Sequence, residues 1–429
     1  MISETKAPAP CGRLTSLVPT ARPSSGGLAS ILFTVFIAVL SFGVTIPVFP
    51  RLFEHFTGGD VGRAAFLVGL AMTLWSAIQF FAAPVLGSLS DRFGRRPVIL
   101  LSTFGTATDF AIMVLAPSLG WLFLGRVLNA ATAASFSAAN AYVADITAPN
   151  DRAKNFGFIG AAFSLGFIVG PVVGGALGQI DLRLPFWAGS GLASANTIYG
   201  FFVLSESLPL ERRRPFEWRQ ANPLGAFRFL QADKVLLALA GVFLAMQVAH
   251  QIYPSIWVLY TGDRFGWSTL FVGLTLAAVG LLGFAVQGLL VSPIVKRIGE
   301  HAAMKVGLAS WIIGDVVYAV AWSTPTFLLG MPIAGLNGLV TPSLNAIASR
   351  RAGPQRQGQL QGANSAMQSF SGLIGPALFA GSFAFSIGPG RGVVPIGAPF
   401  FLSSALLLVA LLLASRAARD AGRAPKSIS

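Results

Sequence analysis

Residues 87–97 read Gly-Ser-Leu-Ser-Asp-Arg-Phe-Gly-Arg-Arg-Pro and lie between two long apolar segments, 64–86 and 98–116. Each segment is about as long as the roughly 20 residues that a helix needs to cross the hydrocarbon core of a bilayer. A stretch with an aspartate and three arginines cannot enter hydrocarbon. The membrane therefore ends on both sides of it, and the chain is predicted to cross the bilayer repeatedly.

The composition agrees with this interpretation, because 54% of the residues are hydrophobic and only 11% are charged. In soluble domains about 25% of residues are charged. We predict an all-α membrane protein with twelve transmembrane helices. Their predicted spans are 29–49, 64–86, 98–116, 119–142, 156–178, 186–204, 234–260, 269–291, 303–322, 326–347, 359–384 and 398–415.

The formal net charge of +14 could indicate a nucleic-acid partner, but the placement of the cations argues against one. All but six of the 30 lysines and arginines fall on the side of the membrane that carries both termini. Lys and Arg are retained in the cytoplasm, so this bias predicts cytoplasmic termini in a bacterial inner membrane. The expected partners are the lipid bilayer, protons and a small molecule, without nucleic acid.

The longest polar break, 205–233, separates six predicted spans from six. The two halves repeat weakly: Arg92-Phe93-Gly94 corresponds to Arg297-Ile298-Gly299, and Gly170-Pro171 to Gly375-Pro376. Duplicated halves are typical of secondary transporters, although coincidence among glycine-rich helices is the alternative. The predicted units are a disordered cytoplasmic tail 1–28, bundles 29–204 and 234–415, the cytoplasmic loop 205–233 and a tail 416–429.

Two motifs have defined spacing. The first is Gly-x-Leu-x-Asp-Arg-x-Gly-Arg-Arg, and its functional candidates are Gly87, Asp91, Arg92, Gly94, Arg95 and Arg96. Its glycines predict a tight, closely packed turn, and its aspartate is expected to accept hydrogen bonds from a neighbouring helix N-terminus. The second motif, in the fifth span, consists of Gly157, Gly166, Gly170, Pro171, Gly174 and Gly175. It predicts a smooth stripe for close helix packing and a proline kink. The alternatives are a loop that only sets topology and ordinary small-residue packing.

Together with residues 257–267, 280–287, 83–87 and 140–145, these motifs resemble the major facilitator superfamily, and within it the tetracycline efflux branch of twelve-helix drug:proton antiporters. The resemblance implies the MFS fold of two pseudo-symmetric bundles, a cytoplasmic latch formed by the first motif, and proton-coupled export without a cofactor. The family has an acidic residue where this chain has Ala38 and a histidine where it has Gly283. Tetracycline as the substrate therefore does not follow.

Three charges are predicted inside the membrane: Asp109, Arg126 and Asp315. Such residues are costly there and mark functional sites by default. Counting from the turn 117–120 puts Asp109 and Arg126 at similar depth, where they could pair. The corresponding count puts Asp315 opposite Ala334 and away from any cation. We expect Asp315 to be protonatable and Asp109 to be held ionised by Arg126, the alternative being that nearby hydroxyls and amides satisfy both carboxyls.

Further polar residues fall on shared helix faces and are predicted to line a substrate cavity, although hydrogen bonding between helices is nearly as common a use. They are Gln79, Gln247, His250, Gln251, Gln287, Asn364 and Gln368.

The predicted function is alternating-access export of a drug-like amphiphile in exchange for protons. The chain has no Gly-x-x-x-x-Gly-Lys-Ser/Thr loop for ATP, no metal-spaced His/Cys cluster and no nucleophile elbow, so an enzyme is not expected. A proton-coupled nutrient importer on the same fold is the nearest alternative, and a receptor or channel is the alternative of another class. We expect a monomer.

Overall fold

The computed structural model describes residues 25–213 and 233–423, and every predicted span is helical. The first bundle consists of α1 (Ser25–Thr45), α2 (Phe49–Phe56), α3 (Val61–Phe93), α4 (Arg95–Leu115), α5 (Leu119–Thr132), α6 (Ser135–Ile146), α7 (Arg152–Ile180) and α8 (Leu184–Val203). The second consists of α9 (Lys234–His250), α10 (Ile252–Phe265), α11 (Thr269–Ala285), α12 (Val291–Ile298), α13 (Glu300–Val320), α14 (Thr324–Gly335), α15 (Val340–Ala352), α16 (Gln357–Ile387) and α17 (Ala398–Arg423).

Ten helical segments of the described ranges are long and apolar enough to cross a membrane. The two remaining predicted spans are helical but depart from a simple apolar helix. The sixth, α8, contains the polar residues Ser190, Asn196 and Thr197, and the fourth is divided into α5 and α6. The twelve-span, all-helical architecture in two bundles is therefore confirmed, with a break that the sequence pattern did not indicate.

Side chains of α3 and α4 stabilise this break. Gln79 donates to the carbonyl oxygen of Ala133 at 2.7 Å, and the Ser102 hydroxyl accepts from the backbone N–H groups of Ala134 and Ser135 at 3.0 and 2.9 Å. Irregular backbone at membrane depth is tolerated only where protein groups satisfy its hydrogen bonds. Gln79 was predicted to line the cavity, but its side chain forms a hydrogen bond to another helix, which was the alternative.

The edges of the predicted units differ from the structure. Helix α1 begins at Ser25, inside the predicted tail, and α17 continues to Arg423, beyond the predicted end of the second bundle. The start of the central loop contains a short 3₁₀ turn, Leu210–Arg212. Residues 1–24, 214–232 and 424–429, which make up most of the predicted tails and loop, lie outside the described residues.

The two bundles meet unevenly along their length. We call the end that carries Arg92, Arg95 and Arg96 the basic end. At the opposite end one continuous apolar core joins both bundles and includes Phe53 of the first and Phe383 of the second. Toward the basic end each bundle has a separate core. The bundles are therefore closed against each other at the opposite end and apart at the basic end.

Candidate functional site

The first buried charge lies in the α4–α5 hairpin. Asp109 is fully buried, and the Nε of Arg126 donates to its Oδ1 at 3.3 Å, while a second, closer contact joins Nη2 to Oδ2. The Arg126 guanidinium also lies 5.1 Å from the ring centroid of Phe49. Gly125 makes room for the pair, because a Cβ there would lie 2.6 Å from Asp109 Oδ1. The predicted pairing of Asp109 with Arg126 is present.

One turn beyond Arg126, Asn129 extends this polar cluster toward α3. Its amide nitrogen donates to Thr106 at 3.2 Å, and its oxygen accepts from the indole N–H of Trp75 at 2.8 Å. Asn129 was not among the predicted site residues, although its i+3 spacing from Arg126 places it on the same helix face. Trp75 gave no such signal, because its partner lies on another helix.

The second buried carboxylate, Asp315 on α13, is also fully buried. Its Oδ1 accepts from the Tyr253 hydroxyl at 2.7 Å and its Oδ2 from the Ser403 hydroxyl at 2.5 Å. None of the ion pairs formed within the described ranges involves it. A Cβ on the preceding Gly314 would lie 2.6 Å from that of Ala334, which agrees with the depth predicted for Asp315. The carboxylate thus has no cation beside it, as expected. Its partners are two hydroxyls, which agrees with the alternative that nearby hydroxyls satisfy the carboxyl.

Aromatic rings surround this carboxylate. The indole N–H of Trp311 donates to the Tyr253 hydroxyl at 2.7 Å, and the two rings stack 6.4 Å apart. The His250 ring lies edge-on to both, at 5.8 Å from Tyr253 and 6.1 Å from Trp311. Trp311 lies four residues before Asp315, so helical spacing could have revealed it. Tyr253 and Ser403 come from α10 and α17 and had no such signal.

The predicted cavity residues occupy different environments. Gln251 lies at the break between α9 and α10 and packs on α16. A Cβ on Gly375 of α16 would lie 2.4 Å from the Cβ of Gln251. His250 is exposed at the end of α9. The four others, which are half-buried or exposed and stay predictions for the cavity, are Gln247, Gln287, Asn364 and Gln368.

The glycines of the fifth span pack in two directions. A Cβ on Gly166, Gly170 or Gly174 would come within 1.8–3.0 Å of α1. The shortest of these distances would be from Gly174 to the carbonyl oxygen of Val44. Gly175 instead faces the second bundle, where its Cβ would lie 2.5 Å from the Thr269 carbonyl oxygen. The predicted stripe is present over these positions. Gly157 is the exception, since a Cβ there would meet nothing within 4 Å.

The contact between bundles is reciprocal at this point. A Cβ on Gly273 of α11 would lie 2.1 Å from the carbonyl oxygen of Pro171, and the Thr269 hydroxyl donates to the Gly175 carbonyl at 3.0 Å. Helix α7 runs through Pro171 without ending. Toward the basic end, a Cβ on Gly157 of α7, or on Gly288 between α11 and α12, would meet open space.

Comparison with known proteins decides the family. The family model described as Major Facilitator Superfamily matches residues 31–376 and 256–427. The chain belongs to the Major Facilitator Superfamily. It is 38% identical to the tetracycline resistance protein, class C, of Escherichia coli, over 90% of this chain and 96% of that protein. It is 29% identical to multidrug resistance protein 2 of Bacillus subtilis, over 89% and 92% of the two chains.

Solved structures of superfamily transporters have the same fold. The human organic anion transporter MFSD10 (TETRAN) superposes with a TM-score of 0.67 at 24% identity, covering 91% of this chain and 99% of that one. The nucleoside transporter NupG gives a TM-score of 0.74 at 14% identity, with the same two coverages. At these identities the likeness establishes the fold alone. The superfamily membership places this chain among membrane transporters.

The superfamily motif at 87–97 is not a loop in this member. Helix α3 runs to Phe93 and α4 begins at Arg95, so that Gly94, with φ +109°, forms the whole connection. A positive φ favours glycine because it has no Cβ. The expectation for Gly87 was wrong, because it lies within α3 and a Cβ there would meet nothing within 4 Å.

Asp91 does not accept from a helix N-terminus in this structure. The backbone N–H groups of Arg95 and Arg96 at the start of α4 donate to Glu206, at 2.8 and 3.2 Å. Asp91 instead accepts from the side chain of Arg95 at 2.6 Å, and Arg95 also donates to Asp145 at 3.1 Å. Glu206 lies beyond α8, so only the fold brings it to this helix N-terminus.

The other arginines of the motif contact aromatic rings nearby. Arg96 donates to the Phe201 carbonyl, and its guanidinium lies 5.5 Å from the centroid of the Phe201 ring. The Arg92 guanidinium lies 5.1 Å from the centroid of Phe93. These contacts all lie within the first bundle, so a latch between the bundles stays a prediction.

The repeat in the second half has the same geometry with other acids. Gly299, with φ +78°, is the single residue between α12 and α13. Lys296 occupies the position that corresponds to Asp91. The carboxylates come instead from Glu300, which accepts from Arg350 at 2.6 Å, and from Asp233, which accepts from Arg351 at 2.7 Å. The weak sequence repeat therefore corresponds to a repeat of structure.

Proposed function

We propose that this transporter is a proton-coupled antiporter that exports a drug-like amphiphile, and that tetracyclines are the first substrates to test. Its relatives include six tetracycline resistance proteins, at 29–38% identity. One observation carries the proposal: within the described residues each bundle holds one fully buried carboxylate, Asp109 and Asp315, and of these two only Asp109 is paired with a cation.

The two carboxylates would serve different steps. An ionised group inside a membrane is costly and marks a transport or proton site. Asp315, held by hydroxyls alone, would take up and release the coupling proton. Asp109 would stay ionised beside Arg126 until substrate or a proton competes for that pair.

The orientation gives the state of the transporter. The basic end would face the cytoplasm, in keeping with retention of Lys and Arg there. With that orientation both termini would be cytoplasmic in a bacterial inner membrane, and the separation of the bundles at the basic end would correspond to an inward-open state. In the outward-open state the motif around Gly94 would contact the second bundle and act as the latch.

The driving force is sufficient for modest export. A proton that enters down a membrane potential of ~100 mV supplies about 2.3 kcal/mol. This corresponds to an accumulation ratio on the order of 50 for a neutral substrate exchanged one for one, at about 1.4 kcal/mol per factor of ten. The cavity residues Gln247, His250, Gln251, Gln287, Asn364 and Gln368 would line the path, with the protein acting as a monomer.

Everted membrane vesicles with an acidified lumen test the proposal. Tetracycline, a quinolone, chloramphenicol and a cationic dye are added in turn while lumenal pH is followed. An exporting antiporter releases lumenal protons when its substrate is added, whereas a symporting importer moves protons in the direction of its substrate.

The variants Asp109→Asn and Asp315→Asn should each abolish the proton signal. If Asp315→Asn retained full exchange, the proposed proton role of that residue would be wrong. Counterflow of labelled substrate, which a channel or receptor does not give, addresses the alternative of another class.

A further inference from the structure

The two hydroxyls that hold Asp315 come from different helices and occupy different oxygens. Tyr253 of α10 donates to Oδ1 at 2.7 Å, and Ser403 of α17 donates to Oδ2 at 2.5 Å. A protonated carboxyl has one O–H and one carbonyl oxygen, so uptake of a proton turns one oxygen into a donor and can leave the hydrogen bond at the other oxygen intact. Which one changes depends on how freely each hydroxyl can turn.

The Tyr253 hydroxyl is fixed as a donor. It already accepts from the indole N–H of Trp311 at 2.7 Å, and an indole nitrogen can only donate. Its ring is held by stacking on Trp311 and by edge contacts with Trp257 and Tyr318, at 5.9 and 6.4 Å between centroids. With its position set by rings on two helices and a donor already on its oxygen, the phenol keeps its own proton directed at Oδ1.

The Ser403 hydroxyl can turn. A serine in a helix can donate to the carbonyl oxygen one turn earlier, which for Ser403 is that of Pro399. Ser415 does this on the same helix, donating to the Leu411 carbonyl at 2.8 Å, as does Ser386 on α16 toward Ser382. Once its proton has turned to the backbone, the serine oxygen can accept.

We propose that Tyr253 and Ser403 are positioning residues for the proton on Asp315. Tyr253 is the constant donor to Oδ1, and Ser403 reverses its hydrogen bond when Oδ2 is protonated. This rests on the proposed function, in which Asp315 carries the coupling proton. The proton comes from water, an O–H bond forms at Oδ2, and the hydrogen bond from Ser403 to Oδ2 is replaced by one from Oδ2 to Ser403. No electron transfer is involved.

The position of Tyr253 connects this event to the seam between the bundles. It follows the α9–α10 break at Gln251, whose side chain packs on Gly375 and comes within 3.5 Å of a Cβ placed on Gly372. The same Gly372 faces Ser76 of α3, in the other bundle. Protonation would therefore alter the contact of α13 with α17 at Ser403, while the contact with Tyr253, on the helix that follows this break, is kept.

Other titratable groups are carried by α13 and by the helices that surround Asp315. The nearest cation by contact is Arg264, whose Nη1 donates to the Ala319 carbonyl at 3.4 Å, one turn along α13. Helix α14 carries none. The others are Glu300, His301, Lys305 and Tyr318 on α13, Lys234 and His250 on α9, Tyr260 and Asp263 on α10, Lys296 and Arg297 on α12, Arg350 and Arg351 on α15, and Arg416 and Arg419 on α17.

Infrared difference spectroscopy of the full chain in lipid, titrated with pH and without substrate, tests the inference. The carbonyl stretch of protonated Asp315 is identified by its loss in Asp315→Asn. In Tyr253→Phe that band should move to higher wavenumber, because Oδ1 loses its donor. The midpoint of protonation should also rise by about one pH unit, because the hydrogen bond from Tyr253 is stronger to the ionised carboxylate than to the neutral carboxyl, and its loss therefore disfavours the ionised form.

Ser403→Ala should leave the band at the wild-type wavenumber and move the midpoint less, because the ionised form loses a donor while the protonated form loses the acceptor of its O–H, and these two losses largely offset each other. Ser403→Thr should restore wild-type behaviour. The matched controls are Ser404→Ala, whose hydroxyl points instead to the Ile312 carbonyl at 3.5 Å, and Tyr199→Phe on α8. Neither control should change the band or the midpoint.

An unchanged band in Tyr253→Phe, or the upward shift in Ser403→Ala instead, would overturn the inference, because the proton would then reside on Oδ1. If Tyr253→Phe does not fold, Trp311→Phe frees the phenol to accept, and the band should broaden into two populations; an unchanged band again overturns it. Absence of any Asp315 band in the wild type would refute the proposed proton role of Asp315 as well, which the vesicle assay checks separately.

Discussion

Arg51 of the first bundle donates from Nη2 to the carbonyl oxygen of Trp267 in the second, at 3.1 Å. Its guanidinium lies against Gly262, where a Cβ would be 2.0 Å from Nη2, and Nη1 donates to Glu54 at 2.8 Å. This hydrogen bond lies at the end opposite the basic residues, where the two bundles are closed. Arg51 therefore acts as a tie across the closed end.

Replacing Arg51 by alanine should favour opening at this end. A hydrogen bond from a charged group contributes about 1.5–3 kcal/mol when buried and less at the 21% exposure of this side chain. We expect the ratio of outward-open to inward-open molecules to rise several-fold. Pulsed electron–electron double resonance between spin labels at His55 and Val393, in a Cys11→Ser background, measures it.

The control for this experiment is Arg183→Ala. Arg183 also donates to backbone carbonyls, those of Val114 and Ala116 at 3.1 and 3.2 Å, but within one bundle. It should leave the label distance distribution unchanged. Equal shifts in both variants would mean that Arg51 is not a tie between bundles.

Two glycines of the packing stripes should respond differently to alanine. In Gly174→Ala the new Cβ meets the Val44 carbonyl within the first bundle, and overpacking of this kind costs about 1–3 kcal/mol, so the melting temperature should fall. In Gly273→Ala the Cβ meets the Pro171 carbonyl across the seam, so the clash can be relieved by separation of the bundles. Its melting temperature should change less and its label distances should increase.

Gly157→Ala serves as control, because nothing lies within 4 Å of its Cβ position. It should match the wild type in both measurements. A drop in melting temperature for Gly273→Ala as large as for Gly174→Ala, with unchanged distances, would contradict the distinction.

The buried pair Asp109–Arg126 should be far more costly to break than an exposed one. Removing one partner of a buried pair destabilises by about 3–5 kcal/mol, because it leaves a buried charge uncompensated. Arg126→Gln should therefore lower the melting temperature strongly, and adding Asp109→Asn should recover part of the loss. Arg350→Gln, whose side chain is 63% exposed in its pair with Glu300, should cost about 0–1 kcal/mol. A strictly additive double variant would contradict coupling within the buried pair.

Asp233 provides a pH-dependent contribution at the start of α9. Partial burial would raise the pKa of its carboxyl, but hydrogen bonds from Arg351 and from the N–H groups of Leu236 and Val235 hold that pKa below its usual value. A lowered folded-state pKa adds stability above the unfolded-state pKa of about 3.9, and this is lost as pH falls through the folded-state value.

We expect Asp233→Asn to lower the melting temperature at pH 7 and to have progressively less effect below pH ~4. The loss at neutral pH should be about 0.2–1 kcal/mol, the range for a largely exposed ion pair, because asparagine still caps the helix and only the charge toward Arg351 is lost. Melting curves of the purified protein in detergent at several pH values measure it. The same difference at every pH would show that the carboxylate charge does not contribute.

The sequence allowed the spans, the repeat and the Asp109–Arg126 pair to be predicted, because each follows from local spacing. Helix length sets the depth of a residue relative to a known turn, so two residues equally far from residues 117–120 must lie side by side in a hairpin. The break at Ala133 could not be predicted, because Gln79 and Ser102, which form the hydrogen bonds to its backbone groups, lie on other helices.

The stretch 87–97 shows both sides of this division. Its charges fix where the membrane ends, because ionised side chains cannot be transferred into hydrocarbon, and its glycine spacing predicts a tight connection at Gly94. The packing of the helices decides that Glu206, rather than Asp91, accepts from the N-terminus of α4. It also decides that Tyr253 and Ser403 surround Asp315. Such partners lie 62–111 residues apart in the chain, and only the tertiary fold, through packing and the need to satisfy buried polar groups, brings them within 3 Å.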